Sequence, residues 1–237
     1  MSDLKGYVAA VTGASAGIGA ALARALVAEG ANVVVAARRV ERLEAMRAEL
    51  GDQITVVPMD VRSPEDSRAL VEAAVSAYGR LDGMVANAGM GMYGGILEHS
   101  DDELATMLDT NIAGTVWPVR AAIRHMRERK GGGDIVIVSS VAGTDASENE
   151  AVYAATKHAQ MGLAKGLDRE VHLEGIRVSA FQPGGVVTEF AMQEGAGRTP
   201  ETRRSKICCR LRTLRPRSSA CSASHVICAR SCIGCAD

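Results

Sequence analysis

Tyr153 and Lys157 stand four residues apart in the segment Y-A-A-T-K, and Ser140 lies thirteen residues before the tyrosine. Residues i and i+4 share one face of a helix, so the phenol and the ammonium can project into the same pocket. Ser140 ends the apolar run D-I-V-I-V-S-S at 134–140, which is typical of a buried strand. A hydroxyl, a phenol and a cation brought together suit proton transfer to or from a substrate oxygen, the step that accompanies hydride exchange.

The elements that must position these residues alternate between strand and helix. The pattern predicts strands at 7–12, 32–37, 53–58, 81–86, 134–140 and 176–181, and helices at 16–29, 40–50, 64–78, 101–109, 112–130 and 151–173. Ser63 is a typical N-cap, with Pro64 at the first helical position. We therefore predict one α/β domain over residues 1–201, a doubly wound, Rossmann-like parallel sheet flanked by helices on both faces. Ligands of such sheets bind beyond the carboxyl ends of the strands.

Composition excludes several classes of protein. The 237 residues carry a net charge of −1, which argues against a nucleic-acid partner or an anionic membrane surface. No apolar run approaches the ~20 residues of a membrane span. The first residues, M-S-D-L-K-G, lack the apolar region of a signal peptide. These features predict a cytoplasmic protein, and no spacing of histidine or cysteine in the body of the chain predicts a metal site.

The segment T-G-A-S-A-G-I-G at 12–19 follows the first strand and opens the first helix. Gly13 permits a tight turn, Gly17 lets the backbone approach a pyrophosphate, and Gly19 lets the helix pack on the strand. The free N–H groups and the dipole of a helix N-terminus favour anions. A glycine-rich turn alone is also compatible with an ordinary strand-to-helix connection, but in this setting we interpret it as a nucleotide site.

The end of the second strand lacks the acid that usually binds a ribose 2′-hydroxyl. Ala37, Arg38 and Arg39 stand there instead. An arginine can pair with a 2′-phosphate through its planar fork, so NADP(H) is favoured, with NAD(H) possible. The alternative interpretation is that these arginines only begin the solvated face of the next helix.

These motifs in combination resemble the short-chain dehydrogenase/reductase family, in its single-domain branch, from about residue 4 to about residue 193. The matching segments are T-G-A-S-A-G-I-G, Asp60-Val61, N-A-G at 87–89, N-I-A-G at 111–114, Ser140 with Y-A-A-T-K, and P-G-G-V-V-T at 183–188. The resemblance implies that the cofactor is bound by Gly13, Ser15, Gly17, Ile18, Gly19, Arg38, Arg39, Asp60, Val61, Asn87, Ala88, Gly89, Tyr153, Lys157, Pro183, Gly184, Val186 and Thr188.

The resemblance also implies the catalytic residues Asn111, Ser140, Tyr153 and Lys157. Tyr153 would be the general acid in reduction and the base in oxidation, and the Lys157 ammonium would favour its phenolate, since a free phenol has a pKa near ~10. Ser140 would orient the substrate oxygen, and Asn111 would hold a water that connects Lys157 to solvent. Taken singly, the motifs have plainer explanations: an amphipathic helix, a turn after a strand, and a helix N-cap at Asn111.

The implied activity is hydride transfer between a nicotinamide and a small carbonyl or secondary alcohol substrate. Loops at 90–97 and 144–150 are expected to border that substrate, and a lid is expected to begin near 188. The resemblance further implies a homo-oligomer, a dimer or tetramer, with Met161, Leu163 and Leu167 either at its interface or buried against the chain's own sheet. Two other functions stay open: an NADP sensor without turnover, and a dehydration or epimerisation enzyme.

The tail at 202–237 differs in composition from the rest of the chain. It carries seven Arg and one Lys against the single acid Asp237, and it holds all six cysteines. No helix or strand is recognisable after residue 202, so we predict a disordered segment whose composition resembles a shifted reading frame. A zinc site at His225, Cys228, Cys232 and Cys235 is the alternative, although this spacing fits no finger signature.

Overall fold

The computed structural model describes residues 4–186, 188–190 and 226–228. The strands in this part of the chain are Val8–Thr12 (β1), Asn32–Ala37 (β2), Ile54–Pro58 (β3), Gly83–Ala86 (β4), Gly133–Val138 (β5), Ile176–Gln182 (β6) and Val226–Cys228 (β7). They form one sheet in the order β3-β2-β1-β4-β5-β6-β7, and every neighbouring pair is parallel. The order reverses between β1 and β4, which confirms the predicted doubly wound sheet and places a ligand crevice at that point.

Helices cover both faces of this sheet. They are Gly17–Ala28 (α1), Val40–Leu50 (α2), Pro64–Tyr78 (α3), Asp101–Leu108 (α4), Gly114–Arg129 (α5) and Ala151–Val171 (α6). One face carries α3, α5 and α6, whose apolar residues include Leu70, Val119 and Met161. The other carries α1 and α2, which contribute Ala23 and Leu43. Met161 is therefore part of the chain's own core rather than a free contact for a second subunit.

The central strands are buried on both faces, which is why their sequences are continuous apolar runs. All five residues of β1 are buried, and all but the first of β2. Successive side chains still point to opposite faces, since Val34 and Ala36 join one core cluster while Val33 and Val35 join the other. The sheet is thus a rigid platform whose strand ends can hold a site.

Two element boundaries differ from the sequence prediction. The strand predicted at 134–140 ends at Val138, and Ser140 begins a short 3₁₀ turn instead. The helices predicted at 101–109 and 112–130 are joined by a π turn, Asp109–Ala113, so Asn111 lies inside a helical run rather than at an N-cap. The predicted N-cap at Ser63 is confirmed, because its side chain accepts a hydrogen bond from the Asp66 N–H.

A short strand lies in the tail, where the sequence pattern indicated none. β7 pairs with β6 in parallel register, with Val226 beside Ala180 and Cys228 beside Gln182. Three residues are too few for a period-two pattern, but a β-branched pair suffices to extend an edge. The rest of the tail, including three of the four candidate zinc ligands, lies outside the described residues, as does the predicted lid beyond residue 190. None of the helices described is long and apolar enough to cross a membrane.

Candidate active site

A cleft of about 970 Å³ lies beyond the carboxyl ends of the strands. All but two of the residues predicted to bind cofactor or to act in catalysis line it. The exceptions are Gly19 and Asn111, which lie just behind the wall. The tertiary structure therefore brings residues from the whole length of the domain, between Gly13 and Thr188, to one place.

The glycine-rich turn packs directly against the end of β4. A Cβ added at Gly13 would lie 2.8 Å from the Cα of Ala88, and one at Gly19 would lie 2.5 Å from Nδ2 of Asn87. The Thr12 hydroxyl oxygen accepts from the N–H groups of Asn87 and Ala88, at 3.1 Å each. The Asn87 amide in turn donates to the carbonyl of Thr12 at 2.9 Å. These contacts leave room only for glycine, and the role of Asn87 in this structure is to join two strand ends.

The N-terminus of α1 faces the cleft without a side-chain partner of its own. Ala16 occupies the N-cap position and provides no capping side chain, and the first turn holds no acidic residue. Gly17 and Ile18 line the cleft at this point. The unfilled N–H groups and the helix dipole fit a pyrophosphate.

A basic corner lies beside this helix terminus. Arg39 donates to the Ser15 hydroxyl oxygen through Nε at 3.2 Å and Nη2 at 3.1 Å. Both Arg39 and Arg42 also donate to one carboxylate oxygen of Glu189, at 3.0 and 2.7 Å. The Arg42 and Arg39 guanidinium groups lower the pKa of Glu189. No local pattern indicates Glu189 or Arg42 as site residues, because Glu189 lies about 150 positions from its two arginine partners.

Asp60 and Val61 also line the cleft. The Asp60 carboxylate accepts from Arg62 in a two-pronged contact whose shortest distance is 2.6 Å, and this lowers the pKa of Asp60. The carboxylate is therefore ionised at neutral pH. Val61 packs against Gly114, where a Cβ would lie 2.6 Å from the valine Cγ2.

Tyr153 and Lys157 share one face of α6, as their spacing predicts. Both are buried, and the Lys157 Nζ lies 5.7 Å from the centre of the Tyr153 ring. The Ser139 hydroxyl donates to the Lys157 carbonyl at 3.0 Å and so ties α6 to the end of β5. Ser140 lines the same cleft, and its hydroxyl oxygen accepts the Ala142 N–H at 3.2 Å. This bond leaves the Ser140 hydroxyl proton for another acceptor.

Burial lowers the pKa of Lys157 from 10.5 to about 7. Its Nζ donates to the Val138 carbonyl at 3.2 Å and to Oε1 of Gln160 at 3.0 Å. An ammonium has three N–H donors, so these two bonds leave one for a group in the cleft. The amine is therefore held in place by neutral acceptors and is poised to change protonation near neutral pH.

Asn111 is fully buried and acts as a tie between elements. Its side chain accepts from the Met90 N–H at 2.9 Å and donates to the Met90 carbonyl and the Thr156 hydroxyl oxygen at 2.8 and 3.0 Å. Its main-chain carbonyl accepts from Thr115 Oγ1 at 2.7 Å and from Gln160 Nε2 at 2.9 Å. These two bonds join the π turn to α5 and α6 at the main-chain carbonyl of Asn111.

The substrate side of the cleft has aromatic and apolar walls. The rings of Tyr93 and Phe190 lie 5.7 and 5.9 Å from that of Tyr153, both in tilted arrangements. Met92 lies in the same cluster, as part of the loop predicted to border the substrate. Acidic residues line the cleft around this region: Asp102, Glu103, Asp145 and Glu150. Phe190 was not predicted as part of this wall, since it falls in the segment interpreted as a lid.

Comparisons with known proteins identify the family to which this chain is similar. A family model described as short chain dehydrogenase matches residues 7–199. An uncharacterized oxidoreductase of Staphylococcus saprophyticus is 36% identical over 193 residues, covering 80% of this chain and 78% of that protein. One from Staphylococcus aureus is 36% identical over 189 residues, covering 79% and 81%.

Solved structures show the same similarity. A 3-ketoacyl-(acyl-carrier-protein) reductase from Brucella melitensis, crystallised with NADH, has a TM-score of 0.75 at 32% identity and covers 78% of each chain. A short-chain dehydrogenase from Streptomyces avermitilis has a TM-score of 0.72 at 36% identity, covering 76% of this chain and 67% of that one.

Proposed function

The chain belongs to the short-chain dehydrogenase family and is an oxidoreductase, and from this premise we propose that it transfers hydride between NADP(H) and a small carbonyl or secondary alcohol substrate. One observation carries the proposal: Tyr153, Lys157 and Ser140 line the same cleft as the uncapped N-terminus of α1. An acid–base group, a cation and an anion-binding helix end in one cleft are the parts that such a reaction needs.

The residues around the cleft fit a nicotinamide dinucleotide. The N-terminus of α1 would bind the pyrophosphate, and the Asp60 carboxylate, which lines the same cleft, would accept from an adenine amino group. Arg38 and Arg39 would bind a 2′-phosphate, which supports NADP(H) over NAD(H). The remaining N–H of Lys157 is available to the ribose next to the nicotinamide, and Val186 and Thr188 to its carboxamide.

The acid–base chemistry belongs to residues of this chain. When bound, the cofactor supplies or accepts hydride at the substrate carbon. Tyr153 donates its phenolic proton to the carbonyl oxygen in reduction and takes it back in oxidation. The ammonium of Lys157, 5.7 Å from the ring centre, favours the phenolate that remains after donation. Ser140 donates its hydroxyl proton to the same substrate oxygen and stabilises the charge that develops there.

The walls of the cleft favour an uncharged substrate. Tyr93, Phe190 and Met92 offer apolar and aromatic surface to the groups beside the reacting carbon. The carboxylates at the cleft border, among them Asp102 and Glu150, repel an anion. We therefore propose a neutral carbonyl compound with an apolar substituent.

A panel of neutral and anionic carbonyl compounds with NADPH and NADH, followed by nicotinamide absorbance, tests the proposal. Tyr153→Phe should keep NADPH binding, measured by fluorescence, and lose about 10²- to 10⁴-fold in turnover, as expected for loss of a general acid. Tyr78→Phe is the matched control, because the Tyr78 hydroxyl bonds Thr55 away from the cleft. Absence of turnover with every compound, or full turnover in Tyr153→Phe, would contradict the proposal.

A further inference from the structure

Gln160 is a buried polar residue to which the sequence motifs assign no role. It lies on α6 three residues after Lys157, on the same face of the helix, and is 2% exposed. A buried amide has four hydrogen-bonding sites to satisfy and is costly to leave unpaired. Its partners therefore indicate why it is there.

The amide of Gln160 bonds two other elements and the catalytic amine. Nε2 donates to the Asn111 carbonyl and to the Thr115 hydroxyl oxygen, at 2.9 Å each. Oε1 accepts from the Lys157 Nζ at 3.0 Å. Gln160 thus joins the π turn, the start of α5 and the ammonium through a single side chain.

The orientation of this amide is fixed by its neighbours. The Thr115 hydroxyl donates its proton to the Asn111 carbonyl at 2.7 Å, so only a lone pair of Thr115 faces Gln160. A flipped amide would place its oxygen against two acceptors and its NH₂ against an ammonium. Because both contacts are repulsive, Oε1 must face Lys157.

The π turn makes this arrangement possible. In Asp109–Ala113 the helix is wider than an α-helix, and side chains can reach the Asn111 carbonyl from the side. Gln160 and Thr115 fill both lone pairs of that oxygen.

We propose that Gln160 is a positioning residue that hydrogen-bonds the charged Lys157 amine and anchors it to the π turn through the Asn111 carbonyl. The inference rests on the proposed function, in which Lys157 supports Tyr153. Its consequence is that this contact stabilises the charged form of the amine relative to the neutral form.

The titratable groups around Lys157 do not account for its protonation behaviour. The groups nearest to it along the chain or at the cleft are Tyr153 and His158 on α6, Glu150 just before α6, Asp109 on the π turn, Asp101, Asp102 and Glu103 on α4, and Tyr93 and Asp145 on the loops bordering the cleft. Burial is the cause of its low pKa. Two neutral oxygens contact the ammonium, the Val138 carbonyl and the Gln160 amide, so removal of one should disfavour the charged form further.

The test is the pKa of Lys157 in two variants of Gln160. Carbon-13 NMR of labelled lysine ε-carbons follows the titration without any need for turnover, and the Lys157 signal is identified by its loss in Lys157→Met. Gln160→Met removes the acceptor and should lower the pKa by about one to two pH units, the effect of one hydrogen bond to a charged group. Gln160→Glu supplies a carboxylate and should raise it. Gln53→Met is the control, since Gln53 bonds the Ala31 carbonyl away from the cleft.

Shifts of opposite sign in the two variants would support the proposal, because a merely structural role would not reverse with the charge at one position. No shift, or shifts of the same sign, would overturn it. If Gln160→Met does not fold, Thr115→Val provides the second route. This variant removes the hydroxyl that orients the amide and should lower the Lys157 pKa. Thr115→Ser keeps the hydroxyl and should keep the wild-type pKa. Equal Lys157 pKa values in these two variants would also overturn the proposal.

The NMR result is independent of the proposed function. A protein without turnover but with opposite pKa shifts would refute the catalytic proposal and leave the Gln160 contact in place. Turnover together with an unchanged Lys157 pKa in both Gln160 variants would refute the Gln160 proposal and leave the catalytic proposal in place. Where turnover is found, the pH dependence of kcat should move in the same direction as the Lys157 titration in each variant.

Discussion

Replacement of Lys157 by methionine is expected to stabilise the cofactor-free protein at and below neutral pH, while removing turnover. Burial lowers the pKa of Lys157 from 10.5 to about 7. At 1.36 kcal/mol per pH unit, the charged form is disfavoured in the folded protein by about 5 kcal/mol. Methionine fills a similar volume without the charge. It leaves Gln160 Oε1 without its donor, which costs about 1–3 kcal/mol, so the net gain is about 2–4 kcal/mol.

The sign of the pH dependence follows from proton binding. Between pH 7 and 10.5 the unfolded chain keeps the Lys157 proton, whereas the folded protein has released it. Stability rises with pH wherever the unfolded state binds more protons. The unfolding free energy of the wild type therefore rises relative to that of Lys157→Met as pH increases through this window. Below pH 7 both states are protonated and the difference is constant. The difference in unfolding free energy should narrow by about 3 kcal/mol between neutral pH and pH ~9.5.

Urea unfolding followed by far-UV circular dichroism, at several pH values between about 6.5 and 9.5, measures this difference. Lys165→Met is the matched control, because Lys165 is exposed on the same helix and its loss should leave the pH dependence as in wild type. A pH-independent difference between wild type and Lys157→Met would refute the reasoning. So would a variant that becomes relatively more stable as pH rises.

Three further perturbations test other parts of the structure. Arg38→Asp should raise the KM for NADPH relative to NADH about 10- to 100-fold, the effect of losing a charge-assisted contact to a 2′-phosphate; equal KM values for both cofactors in the wild type would contradict this. Glu189→Gln should tighten NADPH binding in fluorescence titrations and leave NADH binding unchanged, because the carboxylate that accepts from Arg39 at 3.0 Å competes with a 2′-phosphate; weaker NADPH binding would show that Glu189 instead orders the site. Asp82→Ala should lower the urea-unfolding free energy by about 3–5 kcal/mol, since Asp82 is 5% exposed and its loss leaves the Val8 N–H without its acceptor at 3.0 Å; a loss below about 1 kcal/mol would mean that this end of the sheet relaxes.

The sheet and its helices could be predicted because their signals are local. Continuous apolar runs such as 33–37 arise from burial on both faces, and the N-cap at Ser63 depends on residues within one turn. The end of β5 could not be placed, because the apolar run continues into Ser139, whose N–H still bonds the Phe181 carbonyl of β6 while its hydroxyl bonds the Lys157 carbonyl. β7 was missed since three residues carry no period.

The residues of the candidate site likewise fall into those with a local sequence signal and those without one. Gly13, Tyr153 and Lys157 are recognisable because a turn or a helix spacing imposes their types locally. Gln160 and Glu189 are not recognisable, because the groups that hold Gln160 in place, Asn111 and Thr115, and the arginines paired with Glu189 are distant in sequence. The π turn at Asn111 likewise has no local signature and is stabilised by bonds to Met90 and Thr156.

The sequence by itself determined the order of the strands and helices, the glycine turn, and the face shared by the phenol and the amine, because periodicity and steric limits act over a few residues. Only the tertiary structure decided how the charges are held. Burial lowers the pKa of Lys157, the Glu189 carboxylate pairs with the arginines of the basic corner, and the Gln160 amide donates to the Asn111 carbonyl. Each of these depends on distances between distant parts of the chain, which no local pattern records.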